Sequence, residues 1–471
     1  MTILQIAILT VVAIVIGQLP KGRSLALLAV STFVVFWLQP LEPYLTLIYW
    51  LPLATLAIVV FAWALTSTAE TRSWRQNWPA LAVMVFVALL IDLNHYFQLT
   101  QIFAVNTPNL RYALVVIVGI VAVTFGLVRW QKANRFWQFV AFIGIILIFT
   151  FLKSPVLLQK TLNFIAAIRA GNTGDTSIPF AWLGFSYLAF RLLHTIRDRQ
   201  TGRLPSVTLA EYVNYVLFFP SFTAGPIDRL ERFIKELRVP LPLANEDWID
   251  AGTRLFVGLF KKFVVADLLA IISISDVLVT RVNHAGWLWL FLYAYTFRIY
   301  FDFSGYTDIA IGIGRLMGIR LPENFISPYL KPNLTQFWNS WHITLTQWFR
   351  AYFFNPFTRA LRGSKLPLPI WIIILVTQIS TMVLIGFWHG ITAGFAMWGL
   401  WHGLGLFIQN RWSEFIRPRL PTWTQTRGGQ TALNLAGIFL TFNFVAIGWL
   451  FFTLSTPAIA WQALLKLFGA A

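Results

Sequence analysis

Apolar runs long enough to cross a lipid bilayer recur along the whole chain and limit what it can fold into. One of them, "IWIIILVTQISTMVLIGFW" at 370–388, contains no charged residue. A helical crossing takes roughly 20 residues. Only 11% of the 471 residues are charged, against roughly a quarter in soluble domains. We therefore predict an all-α, polytopic membrane protein with about eleven spans.

No long polar segment interrupts these runs, so we predict a single membrane domain over 1–471. The apolar run at the start is followed, not preceded, by its first basic residues, Lys21 and Arg23. This order differs from that of a cleavable signal peptide, and we expect a retained first span.

The net charge of +18 comes from basic residues concentrated in short loops between spans. This placement favours a role in topology beside anionic lipid and argues against nucleic acid as a partner. The alternation of basic loops predicts an outer N-terminus. It also puts 153–177 outside, although that segment carries Lys153, Lys160 and Arg169. We expect the basic loops to face the cytoplasm, as in a multi-pass protein of the inner (cytoplasmic) membrane.

Two segments depart from the pattern of simple spans. Residues 211–238 combine an apolar half, broken by Pro220, Gly225 and Pro226, with a charged amphipathic half, which predicts a re-entrant segment. Residues 327–357, "SPYLKPNLTQFWNSWHITLTQWFRAYFFNPF", are rich in Trp and Phe and predict one amphipathic helix at the membrane interface.

Three histidines stand in apolar or aromatic surroundings and are candidates for chemistry. His389 ends the run 370–388, where ionisable groups are rare and usually functional. A neutral imidazole can take a proton from a hydroxyl, as a general base does. His342 lies in "FWNSWHITL", where an interfacial role in an aromatic belt is equally plausible. His402 lies in "GLWHGLGLF", where helix packing is the favoured interpretation.

The segment "YFDFSGYTDIAIGIGRLMGIRLPENF" contains two aspartates, Asp302 and Asp308, spaced six residues apart. A metal pair or a glycosidase pair would fit this spacing, as would an ion pair between Asp308 and Arg315 along one helix. Lys261 and Lys262 interrupt an apolar run, which suits a cytoplasmic span boundary or a site for an anionic donor. The chain has no cysteine, which excludes a thiolate nucleophile and thiolate metal ligands. We predict no metal site.

Three stretches resemble the membrane-bound O-acyltransferase (MBOAT) family, in the bacterial branch that includes alginate O-acetylation and teichoic-acid D-alanylation proteins. They are "FFPSFTAGPI", the region 301–350 with "FWNSWHITLTQWFR", and "IGFWHGITAGFAMWGLWHGLGLF" at 385–407. The resemblance implies a core over 181–453 with a tunnel through it, preceded by variable spans over 1–180. It implies that His389 is the catalytic base and His342 its partner.

From this resemblance we assign substrate contacts to polar and aromatic neighbours of the histidine motifs and of the conspicuous aspartate segment. The assigned residues are Asn339, Trp338, Trp341, Trp388, Asp302, Ser304, Tyr306, Asp308 and Arg350. The implied mechanism is direct transfer from an acyl thioester to a hydroxyl, with His342 or Asn339 steadying the developing oxyanion. No tightly bound cofactor is expected, and acetyl-CoA or an acyl carrier protein would be the donor.

This sequence departs from the family pattern at two places. Ala351 stands in "WFRAY" where relatives usually carry an acid, and "FNPF" replaces an "IPLGG" that often follows. Small residues, Ala393 and Gly394, stand where relatives often have aromatics. If those positions line the tunnel, the preference for acyl group or acceptor would differ.

The leading hypothesis is transfer of a short acyl group, most plausibly acetyl, to an exported cell-envelope polysaccharide or relay protein. Expected partners are membrane lipid, a cytosolic acyl carrier protein and a secreted or membrane-anchored acetylation protein. The alternative within the family is D-alanyl transfer to teichoic acid from a carrier protein. Two other classes stay open: a transporter or flippase for a lipid-linked glycan, and an inactive scaffold, which Ala351 makes conceivable.

Overall fold

The computed structural model describes residues 1–40, 47–97, 107–129, 135–170, 180–238, 243–365 and 368–470. Within these ranges the chain is helical and forms no strand beyond one isolated antiparallel bridge between Phe325 and Trp341. The prediction of an all-α membrane protein is confirmed. In the same ranges, 7 helices are long and apolar enough to cross a membrane, judged by length and composition. The figure of about eleven spans stays a prediction.

The helices group into two compact units. The first unit comprises Met1–Leu152, Leu157–Leu255 and Ile309–Pro322. The second comprises Lys153–Val156, Phe256–Asp308 and Glu323–Ala471, and it contains both candidate histidines. The prediction of one membrane domain stays a prediction.

The first unit and the start of the second contain the main α-helices up to residue 260. They are Ile3–Gly17, Arg23–Trp37, Leu47–Thr66, Trp74–Asp92, Asn94–Phe97, Leu110–Arg129, Arg135–Lys153, Pro155–Ala170, Phe185–Gln200, Leu209–Val216, Leu230–Arg238 and Asn245–Phe260.

Close backbone contact fixes the start of the first unit. A methyl group built on Gly17 would lie 2.0 Å from the carbonyl oxygen of Leu316, so only glycine fits at this crossing. Arg23, at the start of the next helix, donates a hydrogen bond to the carbonyl of Met317. The first two helices are thereby held against the 309–322 segment of the same unit.

The segment 211–238 is interrupted where proline and glycine predict it. Helix Leu209–Val216 ends before a short 3-10 turn at Phe219–Ser221, and helix Leu230–Arg238 follows. The buried Arg191 guanidinium donates to the carbonyls of Tyr215, Val216 and Ser221 at 3.1, 2.8 and 2.9 Å, and to the Ser221 hydroxyl. Protein therefore satisfies the backbone of the break, as a membrane-embedded break requires. The re-entrant path stays a prediction.

After residue 260 the chain alternates long helices with short, broken ones. The elements are Lys261–Ala266 (π), Asp267–Ile271, Asp276–Arg281, Ala285–Leu316, Leu334–Trp338, Ile343–Phe349, Arg350–Phe354 (π), Asn355–Arg362, Ile370–His389, Ala393–Arg411, Trp412–Ile416 (π), Arg427–Thr453 and Pro457–Leu467.

The predicted single amphipathic helix over 327–357 is wrong. The segment consists of short helices separated at 339–342, and His342 has left-handed backbone angles, φ 42° and ψ 54°. Such angles are rare for a residue other than glycine and stop the helix. The backbone N–H of Ile343 donates to the Asn324 carbonyl at 3.0 Å, and the backbone N–H of Ile326 donates to the Ser340 carbonyl at 3.1 Å. These tertiary bonds replace the helical ones.

Helices Ile370–His389 and Ala393–Arg411 form a tight antiparallel pair in the second unit. A methyl group on Gly386 would lie 2.2 Å from the carbonyl oxygen of Phe395, and one on Gly399 would lie 2.5 Å from the Val383 Cα. Glycine at these two positions permits the backbones to touch. The turn between the helices begins directly after His389, which places this residue at the end of the pair.

Candidate active site

The Trp388 indole packs near both candidate histidines. Its ring centroid is 5.7 Å from that of His342 and 4.5 Å from that of His389. The structure thus brings His342 close to Trp388 and His389, which are neighbours in the chain but lie more than forty positions away from it. The two imidazoles face one small region of the second unit.

The His389 ring is surrounded by aromatic side chains. Phe395 stacks on it at 5.8 Å, while Phe452 and Trp398 present themselves roughly perpendicular at 4.7 and 5.8 Å. His389 is nevertheless part-exposed, unlike His342, which is 3% exposed. A substrate hydroxyl therefore has more direct access to His389 than to His342.

His342 is held by packing and by the backbone of its own segment. Phe303 meets its ring edge-on at 4.7 Å. The buried Asn324 side-chain oxygen accepts hydrogen bonds from both the N–H and the hydroxyl of Thr344, at 3.2 and 2.7 Å. The Nε2 atom of His342 has no hydrogen-bond partner within the described part of the chain. A buried ring nitrogen in this state is suited to contact a bound group.

Trp338 and Trp341 are both buried, in one continuous aromatic cluster. Trp338 meets Trp398 at 5.7 Å and His402 at 5.1 Å, whereas Trp341 packs on Trp449 at 5.3 Å. Trp338 and Trp341 thus border the site indirectly, through the aromatic rings on which they pack. His402 itself is 0% exposed and enclosed by Trp338 and Trp398, in keeping with a packing role.

Asn339 and Arg350 form an exposed pair. The Arg350 guanidinium donates to the Asn339 side-chain oxygen at 2.6 Å. The pair spans the short helix Ile343–Phe349, whose first turn is set by His342. Their predicted role in binding substrate stays a prediction.

The four predicted residues on helix Ala285–Leu316 divide into two buried and two ion-paired side chains. Ser304 and Tyr306 are 3% and 8% exposed. Asp302 pairs with Lys262 at 2.5 Å, and Asp308 pairs with Lys261 at 2.7 Å. The two lysines lie on the π-helical turn Lys261–Ala266, so consecutive residues there reach two aspartates of the facing helix.

The predicted ion pair between Asp308 and Arg315 is wrong. Arg315 instead pairs with Asp247 and Asp250, each at 3.2 Å, because helix Asn245–Phe260 presents these carboxylates to it. The structure also gives no support to a metal pair at Asp302 and Asp308. No group of three potential metal ligands occurs in the residues that the structure describes.

Sequence reasoning missed Lys153 as a residue of this region. The Ile391 N–H donates to the Lys153 carbonyl at 2.8 Å, and the Lys153 ammonium donates to the His389 carbonyl at 3.4 Å. The ammonium also lies over the Trp388 ring, 6.0 Å from its centroid. The available signal was a basic residue in 153–177, a segment that the alternation of basic loops predicts to lie outside.

The positions that depart from the family pattern lie in different surroundings. Ala351 is part of the π-helical turn Arg350–Phe354. Ala393 is exposed, at the start of helix Ala393–Arg411. A methyl group on Gly394 would lie 2.9 Å from the Phe451 carbonyl oxygen, so this glycine serves close packing. Their effect on acyl or acceptor preference stays a prediction.

Comparison with known proteins places this arrangement among acyltransferases. The model of the MBOAT, membrane-bound O-acyltransferase family matches residues 43–456. The teichoic acid D-alanyltransferase of Bacillus subtilis is 30% identical over 330 residues, which cover 69% of this chain and 79% of that protein. The corresponding protein of Streptococcus thermophilus is 32% identical over 58% of this chain and 68% of its own length.

A probable alginate O-acetylase of Pseudomonas aeruginosa is 33% identical over 282 residues, or 59% of this chain. The match spans 50% of that relative's length. Both histidine motifs, the apolar helices and the family model agree on the class of protein. The chain belongs to the membrane-bound O-acyltransferase family and is a membrane-integral acyltransferase.

Proposed function

We propose that this protein transfers a short acyl group from a cytosolic thioester to a hydroxyl of an exported cell-envelope polymer or of a relay protein. The observation that carries the proposal is that His342 and His389 both pack near Trp388, with centroids 5.7 and 4.5 Å from that of its ring. Two imidazoles from separate segments thereby share one aromatic-walled region.

In the proposed reaction, His389 takes the proton of the acceptor hydroxyl as that oxygen attacks the thioester carbonyl. The new C–O bond produces a tetrahedral oxyanion, which a hydrogen bond from His342 or Asn339 stabilises. The C–S bond then breaks, and the thiolate takes the proton from His389. This sequence needs no covalent acyl-enzyme, which agrees with a chain that has no cysteine. The part-exposed His389 suits the base, and the buried His342 suits the supporting role.

We place the protein in the cytoplasmic membrane, because its basic loops alternate as expected for a multi-pass protein of that membrane. In this arrangement acetyl-CoA or an acyl carrier protein delivers the acyl group from the cytosol. The acceptor, or a secreted or membrane-anchored partner, meets the site from the other side. No cofactor or metal takes part in the proposed step.

Acetyl is the first candidate for the acyl group. The segment 301–325, "FDFSGYTDIAIGIGRLMGIRLPENF", which carries Asp302 and Asp308, resembles the alginate O-acetylation branch. D-Alanyl is the second candidate. The two teichoic acid D-alanyltransferases match over 68% and 79% of their lengths, against 50% for the alginate relative.

The test is thioester turnover by the purified protein in nanodiscs with separate donors. Acetyl-CoA, acetylated carrier protein and D-alanylated carrier protein would be supplied with an alginate oligomer or a polyglycerol phosphate as acceptor. Acetylated product from either acetyl donor supports the first candidate, and D-alanylated product supports the second. A folded sample that transfers no acyl group from any donor would contradict the proposal and favour a transporter or a scaffold.

A further inference from the structure

We infer that Lys153 is a specificity-determining residue that recognises a negative charge on the acceptor, beside the hydroxyl that His389 activates. The inference rests on the proposed function and adds to it a residue that selects the acceptor. It starts from the position of one ammonium group, which the reaction as described above does not use.

Two hydrogen bonds, one accepted by its backbone and one donated by its side chain, place Lys153 at the end of helix Ile370–His389. The carbonyl of Lys153 accepts from Ile391 N–H at 2.8 Å, which ties the residue to the turn after His389. Its Nζ donates to the His389 carbonyl at 3.4 Å and lies 6.0 Å from the centre of the Trp388 ring. The side chain is part-buried, so its stem is held by packing. The cation therefore stands next to the region shared by the two histidines.

The protein does not neutralise this charge within the part of the chain that the structure describes. There, no carboxylate oxygen lies within 4.0 Å of Lys153, in contrast to Lys261 and Lys262, which each have an aspartate. A carbonyl and an aromatic face attract an ammonium but leave its charge uncompensated. An ammonium has three N–H donors, so the Lys153 Nζ keeps donors with which to bind an anion.

The location of Lys153 indicates which substrate supplies the anion. The alternation of the preceding basic loops predicts that 153–177 lies outside. Lys160 and Arg169 share this segment, so what distinguishes Lys153 is its contact with the His389 carbonyl and not its charge alone. Since the acceptor arrives from that side in the proposed reaction, the fitting group is a carboxylate or phosphate of the acceptor. Lys153 would then select a polyuronate or a polyol phosphate, the two kinds of acceptor considered above, against a neutral polymer.

The experiment measures acceptor binding without any donor, so that its result does not depend on acyl transfer. Full-length protein in neutral-lipid nanodiscs would be titrated with a uronate oligosaccharide, a polyglycerol phosphate oligomer and a neutral mannose oligosaccharide. The variants are Lys153→Met, which keeps the stem, and Lys153→Arg, which keeps the charge. Lys160→Met is the matched control, because Lys160 is exposed and lies on the next helix.

We expect Lys153→Met to weaken binding of one anionic oligomer about tenfold, the effect of losing one charge-assisted contact. Which oligomer responds separates a carboxylate from a phosphate acceptor. Binding of the neutral oligomer should not change, and Lys153→Arg should restore most of the loss. The inference is overturned if anionic and neutral oligomers weaken equally, if Lys160→Met has the same effect, or if the wild type does not prefer an anionic oligomer. Failure of the proposed function would instead show as anion binding without acyl transfer.

Discussion

Two interruptions of helical backbone, one in each unit, are built on different principles. In the first unit the chain breaks at 217–229 around Pro220 and Gly225, and the buried Arg191 donates hydrogen bonds to the buried carbonyls of Tyr215, Val216 and Ser221. In the second unit the chain breaks at 339–342 without proline or glycine. There a histidine adopts left-handed angles, and the Asn324 segment supplies the backbone bonds.

The difference separates a structural break from one that carries a candidate catalytic group. Proline and glycine break a helix at little conformational cost, so the first interruption is compatible with its local sequence. The second forces His342 into a region that a β-carbon disfavours, and tertiary contacts must hold it there. Backbone strain of this kind is common at functional residues. Here it turns the His342 ring toward Phe303 and Trp388.

The largest expected effect on stability tests the first interruption. Arg191→Met keeps much of the apolar stem but leaves three buried carbonyls without their donor. Each such group costs about 1–3 kcal/mol, so we expect a loss of more than about 3 kcal/mol. Thermal unfolding in detergent, followed by tryptophan fluorescence, would measure it.

The control is Arg197→Met on the same helix, where the side chain is exposed. It should change the free energy of unfolding by less than about 0.5 kcal/mol. If Arg191→Met and Arg197→Met unfolded at the same temperature, the Arg191 hydrogen bonds would not be what stabilises the interruption at 217–229.

The second interruption is tested by a smaller difference in stability, in which glycine is expected to be more stable than alanine. Glycine at position 342 relieves the left-handed strain, whereas alanine keeps it. We therefore expect His342→Gly to be more stable than His342→Ala by about 1 kcal/mol. In a helix interior the order would be reversed. A higher melting temperature for the alanine variant would contradict the left-handed conformation.

The smallest effect concerns the two helices that flank the first interruption. Glu211 accepts from Arg238 Nε at 2.7 Å and from the Thr208 N–H at 2.8 Å. Burial raises the pKa of Glu211, but the hydrogen bonds from Arg238 and Thr208 outweigh it and lower the pKa below its ordinary value of 4.5. The charged form is therefore favoured in the folded state, and its stabilisation is present above pH 4.5 and lost as the pH falls through the lower folded pKa.

We accordingly expect Glu211→Gln to be less stable than the wild type at pH 7, by less than about 1 kcal/mol. The difference should shrink as the pH is lowered below the ordinary glutamate value. Unfolding curves at a series of pH values from neutral to acidic would show this. A difference that stays constant over the whole series would mean that the charge of Glu211 does not matter.

The sequence predicted those features that depend on local composition. The apolar runs predicted the long helices, and Pro220 with Gly225 predicted the first break. His389 was singled out because an ionisable group at the end of an apolar run is rare. These inferences need only neighbouring residues.

The features that the sequence did not predict depend on residues far apart in the chain. The break at His342 requires Asn324 and Phe325, and Asp308 takes Lys261 as its partner across 47 positions. Lys153 reaches His389 across 236 positions. Periodicity within one helix favoured the pair of Asp308 with Arg315, but facing helices offered both residues nearer charges. No pattern within a single segment contains this information.

The most direct test of the central claim is acyl transfer by His389→Ala. Single-turnover transfer from a radiolabelled thioester would be measured in nanodiscs, beside the affinity for a non-reactive thioether analogue of the donor. The control is His284→Ala, since His284 is exposed and is none of the residues assigned to the site. The account predicts that His389→Ala slows transfer by about 10²–10⁴ with unchanged donor affinity, because a general base contributes about that much. Transfer at the wild-type rate by a folded His389→Ala protein would contradict it.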